Sequence, residues 1–236
     1  MRRQSLGLGA SLLLVTSLAV GCRQQVESTD IRTSGIYPDV DVVADGSGST
    51  HVKVRLKVGG PASNTFLDLV GDDHLQVTAG GVTKQMDGSG VSYTATFPTE
   101  AAGPFVIAFM RGAADTSAPS TTVNLPAPFA LTLPARELSR ATDDLTFTWA
   151  PTSGTGDIDE SIDGSCVDLI LETIPDDGTA TISRDQLHTR SGGSGDSCTV
   201  TVSLARTQSG QPDPAFTEGG SVTASQLRSA TFTSTP

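Results

Sequence analysis

The chain is predicted to be all-β, two β-sandwiches in tandem behind a short apolar leader. Three observations predict it. Several segments alternate strictly between apolar and polar residues, glycine and proline turn signals separate them at sandwich-like spacing, and no window beyond the leader carries a helical period.

His51–Val58 is the clearest strand. Val52, Val54, Leu56 and Val58 fall on one face, and His51, Lys53, Arg55 and Lys57 on the other. Successive strand side chains point to opposite faces, so one face is core and the other meets water. Val91–Phe97 repeats the period of two, and Pro104–Met110 is continuously apolar, as a strand covered on both faces should be. Asp45-Gly46, Gly59-Gly60-Pro61, Gly80-Gly81, Asp87-Gly88 and Gly103-Pro104 supply the turns. With Ser117–Leu125 as its last strand, the first sandwich spans residues 31–125, and Pro126-Ala127-Pro128 reads as a stiff hinge.

The second sandwich, 129–236, begins with Phe129–Leu133 and Leu145–Trp149. Cys166–Leu171, Thr179–Ile182, Cys198–Leu204, Ser221–Ala224 and Ser229–Ser234 follow as further strands. Both halves resemble immunoglobulin-like or fibronectin type III-like domains in this pattern. The resemblance makes Trp149 a core tryptophan, although both later cysteines follow it and the antibody Cys-Trp-Cys order is absent. The stretches from Thr179 to Leu187 and from Gly219 to Phe232 are also similar to uncharacterised bacterial surface lipoproteins with such domains, which implies a compartment and a fold but no activity.

The leader has the order of a secretory signal peptide: Arg2-Arg3, then an uncharged stretch from Leu6 to Val20 around Leu12-Leu13-Leu14-Val15. That stretch is about 15 residues, short of the roughly 20 that a spanning helix needs. Arg2-Arg3 with Leu6 partly matches a twin-arginine signal, but Ser5 stands where that signal prefers a large apolar residue, so general secretion is expected. Leu18-Ala19-Val20-Gly21-Cys22 resembles the lipobox of bacterial lipoproteins, with Ala19 where leucine is commonest. The resemblance implies cleavage after Gly21, a diacylglyceryl thioether on Cys22 and an acyl chain, such as palmitate, on its freed amine. At about 0.8 kcal/mol per buried methylene, two or three chains anchor a protein firmly. Residues 22–30 would form a lipidated tether of at most about 25 Å. Arg23, rather than aspartate, directs such a lipoprotein to the outer membrane.

Cys166 and Cys198 are the only cysteines after Cys22. In the oxidising compartment implied by export, they are expected to form a disulfide, closing a loop of about 30 residues worth a few kcal/mol. Structural zinc would need four ligands. With one strand, Thr179–Ile182, between them, the strands opened by the two cysteines should run the same way.

The net charge is −11, and removal of residues 1–21 takes away two arginines and no acid, leaving 13 bases against 26 acids. Such a surface repels nucleic acid and anionic headgroups. A membrane, reached through the lipid anchor, and an envelope protein or polysaccharide are the expected partners.

Candidate chemistry is sparse. His51, His74 and His188 are the only histidines, and no Gly-x-Ser-x-Gly elbow occurs. His51 lies on a polar strand face, and Asp72-Asp73-His74 lacks further metal ligands. Asp159, Ser161 and Asp163, before Gly164, imitate the first half of a calcium loop, but Ile170 stands where an EF-hand needs a bidentate glutamate. No cofactor is expected, with a weaker calcium loop as the alternative. Trp149, Tyr37 and Tyr93 are the only Trp and Tyr residues, and Trp149 and Tyr93 align with apolar faces, which disfavours a sugar platform. The expectation is a non-enzymatic binding or structural module acting through an edge strand or through the acidic and glycine-rich loops 150–165 and 189–197. An atypical hydrolase is the alternative, for which no motif assembles the residues.

Overall fold

The computed structural model describes residues 23–112, 115–134, 136–184, 186–190 and 195–236. Gly21 and Cys22, and with them the cleavage and lipidation sites, lie outside the described residues.

The fold is all-β. Among the described residues, ten strands precede the two-proline segment: β1 (Gln24–Glu27), β2 (Ile36–Ala44), β3 (Thr50–Val58), β4 (Thr65–Asp68), β5 (His74–Ala79), β6 (Val82–Gln85), β7 (Asp87–Ser89), β8 (Ser92–Phe97), β9 (Gly103–Met110) and β10 (Ala118–Leu125). Eight follow it: β11 (Ala130–Thr132), β12 (Glu137–Ser139), β13 (Leu145–Ala150), β14 (Asp157–Gly164), β15 (Val167–Pro175), β16 (Thr179–Ile182), β17 (Cys198–Ser209) and β18 (Ser221–Thr235).

One long sheet runs β1-β4-β3-β2-β18-β17-β14-β15, with β8 and β7 attached to β3 and β12 to β18. Two smaller sheets pack on it. The sheet β10-β9-β5-β6 covers a first core containing Val40, Val54, Leu56, Phe105 and Phe109, and β11-β13-β16 belongs to a second containing Phe147, Trp149, Ile158, Ile162 and Leu204. The alternation of His51–Val58 is realised: Val52, Val54 and Leu56 are buried and Val58 is partly so. Pro104–Met110 lies between two neighbours, as its apolar run requires.

Three expected boundaries are revised. The tether is not free: β1 pairs in parallel with β4, Ser28 is buried, and the Arg111 guanidinium donates to Ser28 O (2.5 Å) and, just beyond, to Ile31 O (2.7 Å) and Thr33 Oγ1 (3.2 Å). Secondly, the segment after β17, expected in the second sandwich, returns to the first core, where Phe216, Val222 and Ala224 are buried. Gly210 permits that return, because a Cβ there would clash with the Thr122 carbonyl oxygen, and Gln211 then exchanges backbone hydrogen bonds with Thr122. Thirdly, Ser221–Ala224 and Ser229–Ser234 are not two strands but parts of β18, which pairs in parallel with β2 over Ser221–Gln226 and antiparallel with β17 over Thr223–Ser234. Buried Gln226 interrupts the apolar pattern there, yet keeps the period of two.

The two-proline segment is fastened rather than hinged. Gln226 Nε2 donates to Pro126 O (3.1 Å), an Arg206 guanidinium nitrogen to Ala127 O (2.8 Å) and Arg228 Nε to Phe129 O (2.9 Å). Both guanidinium groups also stack near the Phe129 ring, at 4.8 and 5.7 Å. Arg206 is itself held by Asp176 through two hydrogen bonds of 2.7 and 3.0 Å, and Trp149 Nε1 donates to the same carboxylate at 2.7 Å. Buried carbonyls need donors, and these side chains supply them from the long sheet.

Candidate functional site: the open edge of the long sheet

β14 and β15 make the far end of the long sheet. Sequence reading placed a calcium-like loop here, and the structure corrects it: Asp157–Gly164 is a strand paired on both sides. Asp159, Ser161 and Asp163 therefore line one face of extended chain at steps of about 6.7 Å, where a loop would have turned them inward around an ion. Asp159 instead accepts a hydrogen bond from Thr173 Oγ1 (2.9 Å). Among the described residues, no group of three or more His, Cys, Asp or Glu side chains is placed to hold a metal.

The opposite face of β14 points into the second core. Ile158 and Ile162 are buried there, and Glu160 lies between them at 2% exposure. Register places Glu172 directly across on β15 and Leu204 directly across on β17, with Arg228 beyond Leu204 on β18. Directly opposed residues share a face, so the inward row is Glu172, Glu160, Leu204, Arg228. Leu204 can offer nothing to a carboxylate, and Arg228 is committed to Glu100 Oε2 (3.1 Å) and to the carbonyls of Phe129 and Ala44. Among the described residues, both Glu160 oxygens consequently lack a hydrogen-bond partner. Burial, reinforced by the neighbouring Glu172, pushes the Glu160 carboxyl up to about 7. A shallow hollow of about 280 Å³ lies over the β14–β15 pair, lined by Asp159, Glu160, Leu171, Glu172 and Thr173.

β15 is the last strand of the path and carries the unusual surface. Leu169 and Leu171 are 49% and 67% exposed, and Val82 is the remaining large exposed apolar residue among those described. The start of β15 is covered, since Asp168 N–H donates to His188 O (3.1 Å) and Arg190 N–H to Cys166 O (3.2 Å). Further along, Asp176 N–H donates to Gly156 O (3.1 Å), which sets the phase of the antiparallel ladder. Ile170, Glu172 and Ile174 pair back onto β14, and the backbone groups of Leu171 and Thr173 face outward. Among the described residues no strand takes them up.

The disulfide braces this edge. Cys166 and Cys198 are bonded, with Cα atoms 5.8 Å apart, and they tie the start of β15 to the start of β17 across β14. β15 and β17 run the same way, as expected, but because both are antiparallel to β14; β16, the strand counted between them in sequence, belongs to another sheet.

The other sequence candidates do not converge. His51 Nδ1 meets Thr96 Oγ1 at 3.1 Å, His74 Nδ1 meets Asp72 O at 2.9 Å, and Asp73 is engaged by Arg111 Nε (3.1 Å) and Gly112 N–H (2.8 Å). Trp149 and Tyr93 are core residues, and the Tyr93 hydroxyl donates to Leu67 O (3.2 Å). Loop 150–165 is a turn running into β14, and of loop 189–197 the residues 191–194 lie outside the described ones. Glu160 was passed over in sequence because it sits among acids in what reads as a solvated run. The available signal was the alternation Ile158, Glu160, Ile162, which puts one acid on the apolar face. No protein-family model matches the chain, and comparison with curated proteins finds no match.

Proposed function

We propose that the chain is a lipid-anchored, non-enzymatic protein of the bacterial cell envelope, held through Cys22 and serving as a binding module for another envelope protein at the β15 edge. One positional observation carries the reading. β1, which begins two residues after Cys22, and β15 are the opposite ends of one eight-strand path. At about 4.8 Å per strand, the seven steps put the open edge about 34 Å across the sheet from the anchored end. The fastened two-proline segment would keep that separation fixed. A protein partner is favoured over a polysaccharide because Trp149 and Tyr93 are spent in the cores, whereas unpaired strand edges take up polypeptide. An outer-membrane location follows from Arg23 as an expectation of the same reading.

Two measurements test it. Mass spectrometry of the amino-terminal peptide should find acylated Cys22, and Cys22→Ser should move the protein out of the membrane fraction. A photo-crosslinking residue at Leu171 should capture one discrete envelope protein, whereas the same residue at Val82 should not. An unlipidated Cys22 in membrane-bound protein overturns the anchor, and equal adducts from both positions overturn the edge.

A further inference from the structure

We propose that the β15 edge selects an extended partner segment with an arginine or lysine on its inward face and apolar residues on its outward face; this rests on the edge-docking reading above. Three features that are otherwise unrelated meet in such an occupant. The outward amides and carbonyls of Leu171 and Thr173 would take its backbone as a new antiparallel or parallel strand. Leu169 and Leu171, exposed on the face away from the core, would be covered by its apolar side chains.

The third feature sets the charge. A residue opposite Glu172 on an added strand would share the inward face with Glu172 and Glu160, because directly paired residues lie on one side of a sheet. Glu160 is two strands in, about 10 Å from the added backbone. A long basic side chain laid along that shared face covers most of that span, with its charge beside Glu172. Beyond Glu172 it would approach Glu160, whose two oxygens are buried and, among the described residues, without partners. The chain's own cations do not serve: Leu204 separates Glu160 from Arg228, and Arg206 is taken up by Asp176. A second copy of this acidic chain is a poor occupant, since its corresponding edge strand carries Asp168 and Glu172 and no basic residue.

Two nine-residue peptides test the inference with the purified mature protein. One reads Thr-Val-Thr-Val-Arg-Val-Thr-Val-Thr, and the other has glutamine in place of arginine. The arginine peptide should bind about tenfold more tightly, the order expected for a charge-assisted contact. Glu160→Gln should remove most of that preference while leaving the glutamine peptide unchanged. Thr173→Pro, which deletes an outward amide at an edge position where proline is tolerated, should abolish binding of both. Equal affinities that are both lost in Thr173→Pro overturn the basic-residue inference and leave the docking edge standing. If neither peptide binds, the inference falls, and crosslinking at Leu171 decides whether the edge reading falls with it. Self-association of the wild type that Thr173→Pro abolishes would give the edge to a second copy and overturn the proposal.

Discussion

Asp176 and Glu160 are buried to the same degree, 3% and 2% exposed, and they behave in opposite ways. Asp176 sits where the two cores meet. Burial alone would raise its carboxyl, but the hydrogen bonds from Arg206 and Trp149 overcome that and hold it at about 2. Glu160 sits one strand from the open edge with no donor, and burial beside Glu172 takes it to about 7. The difference teaches that exposure does not decide the state of a buried acid in this fold; the supply of donors does. At the junction Arg206 and Arg228 are spent on fastening the chain, and at the edge a carboxylate is left over. Structural sites satisfy their own polar groups, and a group left unsatisfied at a sheet edge is where an external partner would be accommodated.

The largest test breaks the junction. Asp176→Asn leaves the Arg206 guanidinium buried without its counter-charge, and removing one member of a buried pair costs about 3–5 kcal/mol. Urea unfolding followed through Trp149, the sole tryptophan, should report the loss. The folded carboxyl lies below its ordinary value of 3.8. Its contribution is therefore present above pH 3.8 and lost as the pH falls through about 2, so the gap between wild type and variant should narrow on acidification through that window. Equal stabilities at pH 6 would show that Arg206 is sufficiently held by the carbonyls of Ala127 and Pro151.

The edge should respond with the opposite sign. The Glu160 carboxyl is raised from 4.5 to about 7, so the folded state binds more protons than the unfolded one between those values. Stability falls as the pH rises through that window, by up to ~3 kcal/mol. Glu160→Gln, which cannot ionise, should match the wild type near pH 4 and exceed it increasingly up to pH 8. Thermal unfolding across this range reads the difference. A variant less stable than the wild type at pH 8 would mean that the ionised carboxylate has found a partner in solution.

How far the sequence revealed this contrast follows from what each residue does locally. Strands such as His51–Val58 and Leu145–Ala150 are legible because every second residue is apolar and each pattern is settled within the segment itself. Cys166 and Cys198 were legible as a pair because no other cysteine competes after Cys22. β14 was misread because its outward face is acidic, and acids at alternate positions look the same in a strand and in half a calcium loop. β18 was cut in two because Gln226 and Arg228 face inward at the junction, where they serve carbonyls of a segment 100 residues earlier. Such roles are set by pairing between distant strands, and no local window contains them. The same holds for the ordered β1, whose polar residues read as tether until β4 is beside them.

The smallest expected effect on stability bears most directly on what the edge is for. Leu169 and Leu171 already face water, so the double substitution Leu169→Thr and Leu171→Thr removes little buried area, and threonine suits a strand. Unfolding free energy should change by no more than about 0.5 kcal/mol. If the edge is a docking surface, the same variant should lose most of its peptide binding, because in the complex those leucines would be covered and their apolar area would drive association. A folding residue shows the reverse pattern, with stability lost first and binding lost only through it. Should the threonine variant lose more than about 2 kcal/mol while binding persists in the fraction that remains folded, the leucines belong to the second core and the contrast between a satisfied junction and an expectant edge dissolves.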